Sequence, residues 1–307
     1  MLIPIVERIM SMLTALLVSA LLAIDPATDT TLEARLAPLA KGHQGKTALA
    51  VKNLQTGENY YHNADEVMPT ASLIKIAVLI ELYAQAQEGK LHLSDRVTLR
   101  SADKVPGSGI LTEHFSDGAE FSLRDAARLM IAFSDNTATN LVLERTGIQA
   151  VNKRMAAWGF PQTRINAKVF RGSTTSVDPE RTRRYGLGST TAREMVGLLE
   201  QLQTSARLRP VYKLAVLNHL SKNDDKYKFK RLLPAGVTVM HKDGSTDDTR
   251  TDAGLMHTPT GIVAVCVLTT NNKDRRWVAE NAGNLLCARV AKEVYEYFSV
   301  PSSLTQP

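Results

Sequence analysis

Residues 47–62 read TALAVKNLQTGENYYH and residues 72–87 read SLIKIAVLIELYAQAQ. In the first stretch, Thr47 to Val51 and Asn59 to His62 carry apolar and β-branched residues on either side of Gln55-Thr56-Gly57, a pattern that predicts a hairpin. In the second, Leu73, Ile76, Ala77, Ile80 and Ala84 recur at helical spacing and Gly89 follows as a stop, which predicts a long helix from Ser72 to Gln87. Outward from this pair, Leu93 to Leu208 is predicted mainly helical; Ser122-Leu-Arg-Asp125 and Thr191-Ala-Arg-Glu194 each set an acid three residues after a hydroxyl cap. Beyond Gly236, Val237 to His241, Ala253 to Met256 and Ile262 to Thr269 read as strands, and Ala279 to Phe298 reads as a closing helix. Hairpin, helices, then strands and a helix predict an α+β fold, an α/β-α sandwich. Both chain ends complete its antiparallel sheet, helices flank it, and an all-helical subdomain is inserted. The α/β part is expected at about 30–92 and 209–300, and the helical part at about 93–208.

The 307 residues are 44% hydrophobic and 22% charged, with no low-complexity tract, so a globular protein with an ordinary core is expected. Net charge is +6, but the basic residues are scattered, the densest groups being Arg181, Arg183, Arg184 and Lys226, Lys228, Lys230, Arg231. Without a concentrated stripe or interleaved aromatics a nucleic-acid role is set aside, and these groups read as solvated surface that would attract an anionic polymer such as a cell-wall component. Arg8 precedes an apolar run from Met10 to Ile24, about the length of a signal-peptide core and short for a spanning helix. Val18-Ser19-Ala20 offers small residues for cleavage, while Glu7 weakens the basic flank; residues 1–24 are therefore a signal peptide or an uncleaved membrane anchor. Either way, residues 25–307 are expected to be exported, periplasmic or extracellular, and a monomer is expected. Cys266 and Cys287 read as buried small apolar side chains, and no CxxC or HExxH spacing suggests a metal; no cofactor is expected.

Ser72-x-x-Lys75 on a helix puts an amine one turn from a hydroxyl, on one face. A serine hydroxyl is a poor nucleophile until a base takes its proton, and a neutral lysine serves if burial or a second cation pulls its pKa down. Lys242 is the candidate second cation. Two further sets stand out: Phe133-Ser134-Asp135-Asn136, where three polar residues interrupt an apolar helical face, and His241-Lys242-Asp243-Gly244-Ser245 on a predicted strand. In the last, glycine lets a substrate backbone lie close and lysine presents positive charge.

In this order and spacing the three sets resemble those of the serine β-lactamase and penicillin-binding protein superfamily, and the whole arrangement is most similar to class A β-lactamases. The resemblance spans roughly residues 30 to 300 and includes Thr190-Thr191 opening a helix and the Leu232-Leu-Pro-Ala-Gly run before the Lys242 strand. It implies a serine hydrolase with Ser72 as acylated nucleophile, Lys75 as proton acceptor and Ser134 as proton relay, supported electrostatically by Lys242. It further implies Asn136 as partner of a substrate amide and the backbone N–H groups of Ser72 and Ser245 as oxyanion donors. Arg250 is the candidate for a substrate carboxylate, with Asp243, Gly244 and Ser245 completing the binding wall.

The chain departs from the class A pattern in two places. That class activates its deacylating water with a glutamate expected here near residue 170, yet between Asn136 and Asp178 the only acid is Glu144, and Lys168 stands close to where the acid belongs. Losing a positioned general base costs ~10²–10⁴-fold, so slow deacylation is expected unless Asp178 or Glu180 folds back. Asp178-Pro179-Glu180-Arg181 itself reads as a solvated turn before a basic helix. The second departure is Asp243, where the family has a hydroxyl; an acid there repels a substrate carboxylate, and either pairs with Arg250 or meets a substrate that is neutral or carries an amine. Three readings follow: a β-lactam hydrolase with a non-standard base, a D,D-peptidase or esterase acting on wall peptide or another ester or amide, and a penicillin-binding protein without turnover.

Overall fold

The computed structural model describes residues 31–300, so the expected signal or anchor segment lies outside the described residues. Strands β1 (Lys46–Asn53), β2 (Asn59–His62), β3 (Val239–Ser245), β4 (Arg250–Thr258) and β5 (Gly261–Thr270) form one antiparallel sheet in the order β2-β1-β5-β4-β3. The amino-terminal hairpin joins the carboxy-terminal strands where β1 meets β5, with Lys46 opposite Thr270 and Asn53 opposite Val263. Both chain ends thus build the sheet, as the element order predicts. β2 has the expected bounds, the other four strands run longer than their apolar cores suggest, and β3 extends through Lys242, Asp243 and Gly244 to Ser245.

Among the described residues eight α-helices run ten residues or more: α1 (Leu32–Gly42), α2 (Lys75–Gln87), α3 (Leu123–Ala132), α4 (Asn136–Thr146), α5 (Ile148–Ala157), α6 (Ala192–Thr204), α7 (Pro210–Ser221) and α8 (Ala282–Tyr297). Because successive strand residues face opposite ways, each strand feeds two cores. Leu49, Val51, Val263, Val265 and Val267 pack under α1 and α8, against Leu36, Val290 and Val294. Ala48, Ala50, Ala264, Cys266 and Leu268 face the other way, into the core shared with α2 and α6. Cys266 and Cys287 are both buried and free, and they belong to these two different cores, so the sheet itself separates them.

Helix α2 is hydrophobic nearly all round, buried from Lys75 to Gln85, and enclosed by α3, α4, α5 and α7. This is the behaviour of a helix apolar on every face. The two hydroxyl caps work differently. Ser122 and Asp125 close a reciprocal capping box on α3. Thr191 caps α6, but the Glu194 carboxylate accepts instead from the backbone N–H of Gln162 and Thr163, tying α6 to the start of the loop that leads to the cleft.

Candidate active site

The first surprise is local: Ser72 lies not in α2 but in a single 3₁₀ turn, Ala71–Ile74, that hands over to α2 at Lys75. Ala71 before it has φ +47°, a left-handed value that a non-glycine residue holds only when its surroundings impose it. The surroundings are visible. Thr70 donates its backbone N–H to Gly188, and its carbonyl accepts from Leu73 N–H at 3.1 Å and from Thr251 Oγ1 on β4 at 2.9 Å. The turn is stapled to the sheet, and no described residue hydrogen-bonds the Ser72 hydroxyl, which lines the cleft.

Lys75 is fully buried. Its ammonium donates to the Ser134 carbonyl at 2.7 Å, to Ser134 Oγ at 3.2 Å and to Asn136 Oδ1 at 3.1 Å. Burial pulls its pKa well below the usual lysine range and the like charge of Lys242 adds to this, with Asp135 and Asp243 opposing. The lysine therefore bridges the first polar set to the second, across 59 residues of sequence.

The second set sits between α3 and α4. Ser134 takes φ +52° there, which turns its carbonyl and hydroxyl toward Lys75. Asp135, buried, caps α4 by accepting from Ala138 N–H at 2.8 Å, and its other oxygen accepts from Ile110 and Leu111 N–H at 2.7 and 2.8 Å. That carboxylate fixes the loop around Ser108, whose carbonyl in turn accepts from Asn136 N–H. Asn136 donates its amide to Pro106 O at 3.1 Å.

The third set is on β3, and the glycine acts differently from its expected role. A Cβ on Gly244 would meet Thr70 O at 2.5 Å and Leu73 N at 2.9 Å, so glycine is what lets β3 press against the Ser72 turn itself, bringing Ser245 to the cleft beside Ser72. Lys242 is fully buried and donates to Asp243 Oδ1 at 2.7 Å and to Asp243 O at 2.8 Å. Asp243 does not pair with Arg250. Besides Lys242 it accepts from Asn223 Nδ2 at 3.1 Å and Lys228 Nζ at 3.2 Å. Burial works against its charge, but the Lys242 and Lys228 ammoniums override that and hold its carboxyl well below the usual range. Arg250 is 2% exposed, stacked under Trp277 with its guanidinium carbon 4.8 Å from the ring centre, and it donates to the carbonyls of Thr246, Thr249 and Arg276. Its tip reaches the cleft wall, but backbone carbonyls already take it.

Two residues of this wall escape sequence reading. Lys228, part of a run read as solvated surface, is 3% exposed and bonded to Asp225 at 2.9 Å and to Asp243; Lys226 beside it does face solvent. Trp277 is 65% exposed yet lines both cavities that meet at Ser72. One cavity, about 360 Å³, is walled by Ala167, Val169, Phe170 and Leu187, and the other, about 310 Å³, by Asp225, Lys228, Asp243 and Arg250. Both are of a size that takes a small ligand. Ser72 and Ser245, both marked in the sequence, line the two cavities together.

The loop from Arg164 to Asp178 brings no carboxylate to this cleft. Asn140 on α4 grips it at Val169, accepting from its N–H at 2.8 Å and donating to its carbonyl at 3.0 Å. Lys168 lines the cavity at Ser72 but gives its ammonium to Glu144 in an ion pair. Asp178 is used as the cap of the short helix Pro179–Tyr185, accepting from Arg181 N–H at 3.0 Å, and Glu180 in its first turn is exposed. Neither folds back.

Comparison with known proteins bears on the family and the fold. Residues 31–298 match the profile of the beta-lactamase enzyme family. Over 246 residues the chain is 28% identical to a β-lactamase of Streptomyces cellulosae, an alignment covering 77% of this chain and 75% of that protein. Among solved structures it is similar to a β-lactamase from Sphaerobacter thermophilus (28% identity, TM-score 0.76, covering 88% of this chain and 99% of that one). It is also similar to an ancestral class A β-lactamase (26% identity, TM-score 0.76, covering 87% and 100%).

Proposed function

Because the chain belongs to the beta-lactamase enzyme family, we propose that it is a serine hydrolase that opens β-lactam rings by forming an acyl-enzyme at Ser72 and releases the product slowly. One observation carries the reading: the buried Lys75, its pKa drawn below the usual lysine range by burial, is bonded to Ser134 Oγ at 3.2 Å one turn from the cleft-facing Ser72 hydroxyl. A neutral Lys75 takes the Ser72 proton as Oγ attacks the carbonyl carbon, and the backbone N–H groups of Ser72 and Ser245 receive the developing oxyanion. As the C–N bond breaks, the proton held on Lys75 passes through Ser134 Oγ to the leaving nitrogen. The ester on Ser72 then remains.

Hydrolysis of that ester needs a base to activate water, and no carboxylate of the 164–178 loop lines the cleft. Loss of a positioned base is worth ~10²–10⁴-fold, which supports accumulation of the adduct. The same acylation set serves a D,D-peptidase or esterase, and the self-neutralised wall around Asp243 favours that second reading of the natural substrate. We place the protein outside the cytoplasm, exported by the apolar run from Met10 to Ile24, cleaved or retained as a tether. The test is penicillin consumed per protein molecule with intact mass on the same samples: one equivalent taken up by the wild type and none by Ser72→Ala is expected, and an adduct that survives Ser72→Ala refutes the nucleophile.

A further inference from the structure

On the β3 side of Ser72 the cleft wall carries cations, and each already has its counterpart. Lys242 gives two hydrogen bonds to Asp243, one of them to the carboxylate at 2.7 Å. Lys228 divides its ammonium between Asp225 at 2.9 Å and Asp243 at 3.2 Å. Arg250 is spent on the carbonyls of Thr246, Thr249 and Arg276 and on the Trp277 ring. The point where the two ammoniums converge is therefore occupied by a carboxylate belonging to the chain, and that carboxylate lines the same cavity as Ser72.

We propose that Asp243 is a specificity-determining residue: its carboxylate fills the position from which Lys242 and Lys228 would hold an anionic substrate group, so the enzyme selects acyl donors whose leaving group bears no carboxylate, neutral esters and amides above all. The inference rests on the reading of Ser72 as the acylated nucleophile. A second carboxylate entering beside Asp243 would find both ammoniums already paired and the Arg250 guanidinium turned to backbone carbonyls, and would lie against a like charge in a partly desolvated wall, where discrimination by repulsion is strong. Protonating Asp243 offers no escape, since its two ammonium neighbours keep it ionised. The opposite wall agrees: Val169, Phe170 and Leu187 offer an apolar surface to an uncharged substrate body.

Penicillin G and its methyl ester test this, because they differ only in the carboxylate. The quantity read is the second-order rate of adduct formation at Ser72, followed by intact mass. In the wild type the methyl ester is expected to acylate about tenfold faster or more. The net charge of +6 works the other way, drawing the acid in, so general attraction does not explain such a preference. In Asp243→Asn the preference is expected to fall by about tenfold or to reverse. A wild type that reacts as fast with the acid as with the ester overturns the proposal without any variant, and so does a preference that Asp243→Asn leaves unchanged. No adduct from either compound overturns the acyl-enzyme reading, and this inference falls with it.

Discussion

Gly244→Ala isolates the contact on which the site depends. A Cβ there would lie 2.5 Å from Thr70 O, 2.6 Å from Thr251 Oγ1 and 2.9 Å from Leu73 N. Two of these are backbone atoms of the Ser72 turn, and the hydroxyl is already donating to that same Thr70 carbonyl, so no flexible side-chain end can yield. Reaching ordinary contact near 3.4 Å from the present 2.5 Å requires β3 and the turn to part by about 0.9 Å. Overpacking of this kind costs ~1–3 kcal/mol of stability. The larger effect is expected on chemistry. Ser245 N–H and Ser72 N–H are proposed to grip one oxyanion from opposite sides of that contact, and a displacement of ~1 Å costs ~10²-fold in rate, or ~2.7 kcal/mol of barrier. The assay is the rate of penicillin adduct formation by intact mass, alongside urea denaturation of the same protein. Acylation slowed ~10²-fold in a protein still folded under assay conditions is the expected result. Wild-type acylation and unchanged stability would refute the claim that glycine is what brings β3 to the nucleophile.

Acylation needs the neutral Lys75 amine, so its rate should rise with pH to a plateau well below the ordinary lysine value of about 10.4; Lys242→Gln, which removes a like charge, should move that rise to higher pH. A wild-type profile rising only near pH 10 would remove Lys75 from the role of base. Val169→Glu puts a carboxylate on the cleft wall beside Ser72 and should shorten the lifetime of the adduct by up to ~10²-fold, whereas Lys168→Glu, whose side chain faces Glu144, should leave it unchanged. Time-resolved mass spectrometry separates the two, and equal effects would show the loop is misread. His219, buried with a ring nitrogen 2.6 Å from the Tyr83 hydroxyl, has its pKa pulled down to about 4 by burial and then by Arg128 and Arg124. Between about 6.5 and 4 the unfolded chain binds a proton that the folded chain refuses, so stability present above that window should fall by up to ~3 kcal/mol as pH drops through it. Denaturation across this range should be flatter in His219→Gln, and identical slopes would contradict the assignment.

Much of the fold was legible because period is a local property. The apolar and β-branched runs Thr47–Val51 and Ile262–Thr269 and the 3.6-residue rhythm after Ser72 are each properties of neighbours in the chain, and the structure places strands and a helix there. The caps at Ser122 and Thr191 were equally local. Glu194 shows where locality ends: three residues from a hydroxyl cap, its carboxylate went to Gln162 and Thr163 because tertiary packing put unpaired N–H groups there.

The candidate site divides along the same line. Which residues are candidates for the chemistry was readable: Ser72, Lys75, Ser134, Asn136, Lys242 and Ser245 stand in three sets whose order and spacing resemble those of a known superfamily. Which of them touch was not, since pairing across tens of residues depends on how helices and strands cross. Packing alone drew Lys75 to Ser134, and it paired Asp243 with Lys242 and Lys228 instead of Arg250. It also buried Lys228 while Lys226, two positions earlier, stayed in solvent. A charge's partner is set by distance in space and by the water excluded around it, and both come into being only when the sheet and the helices close on one another.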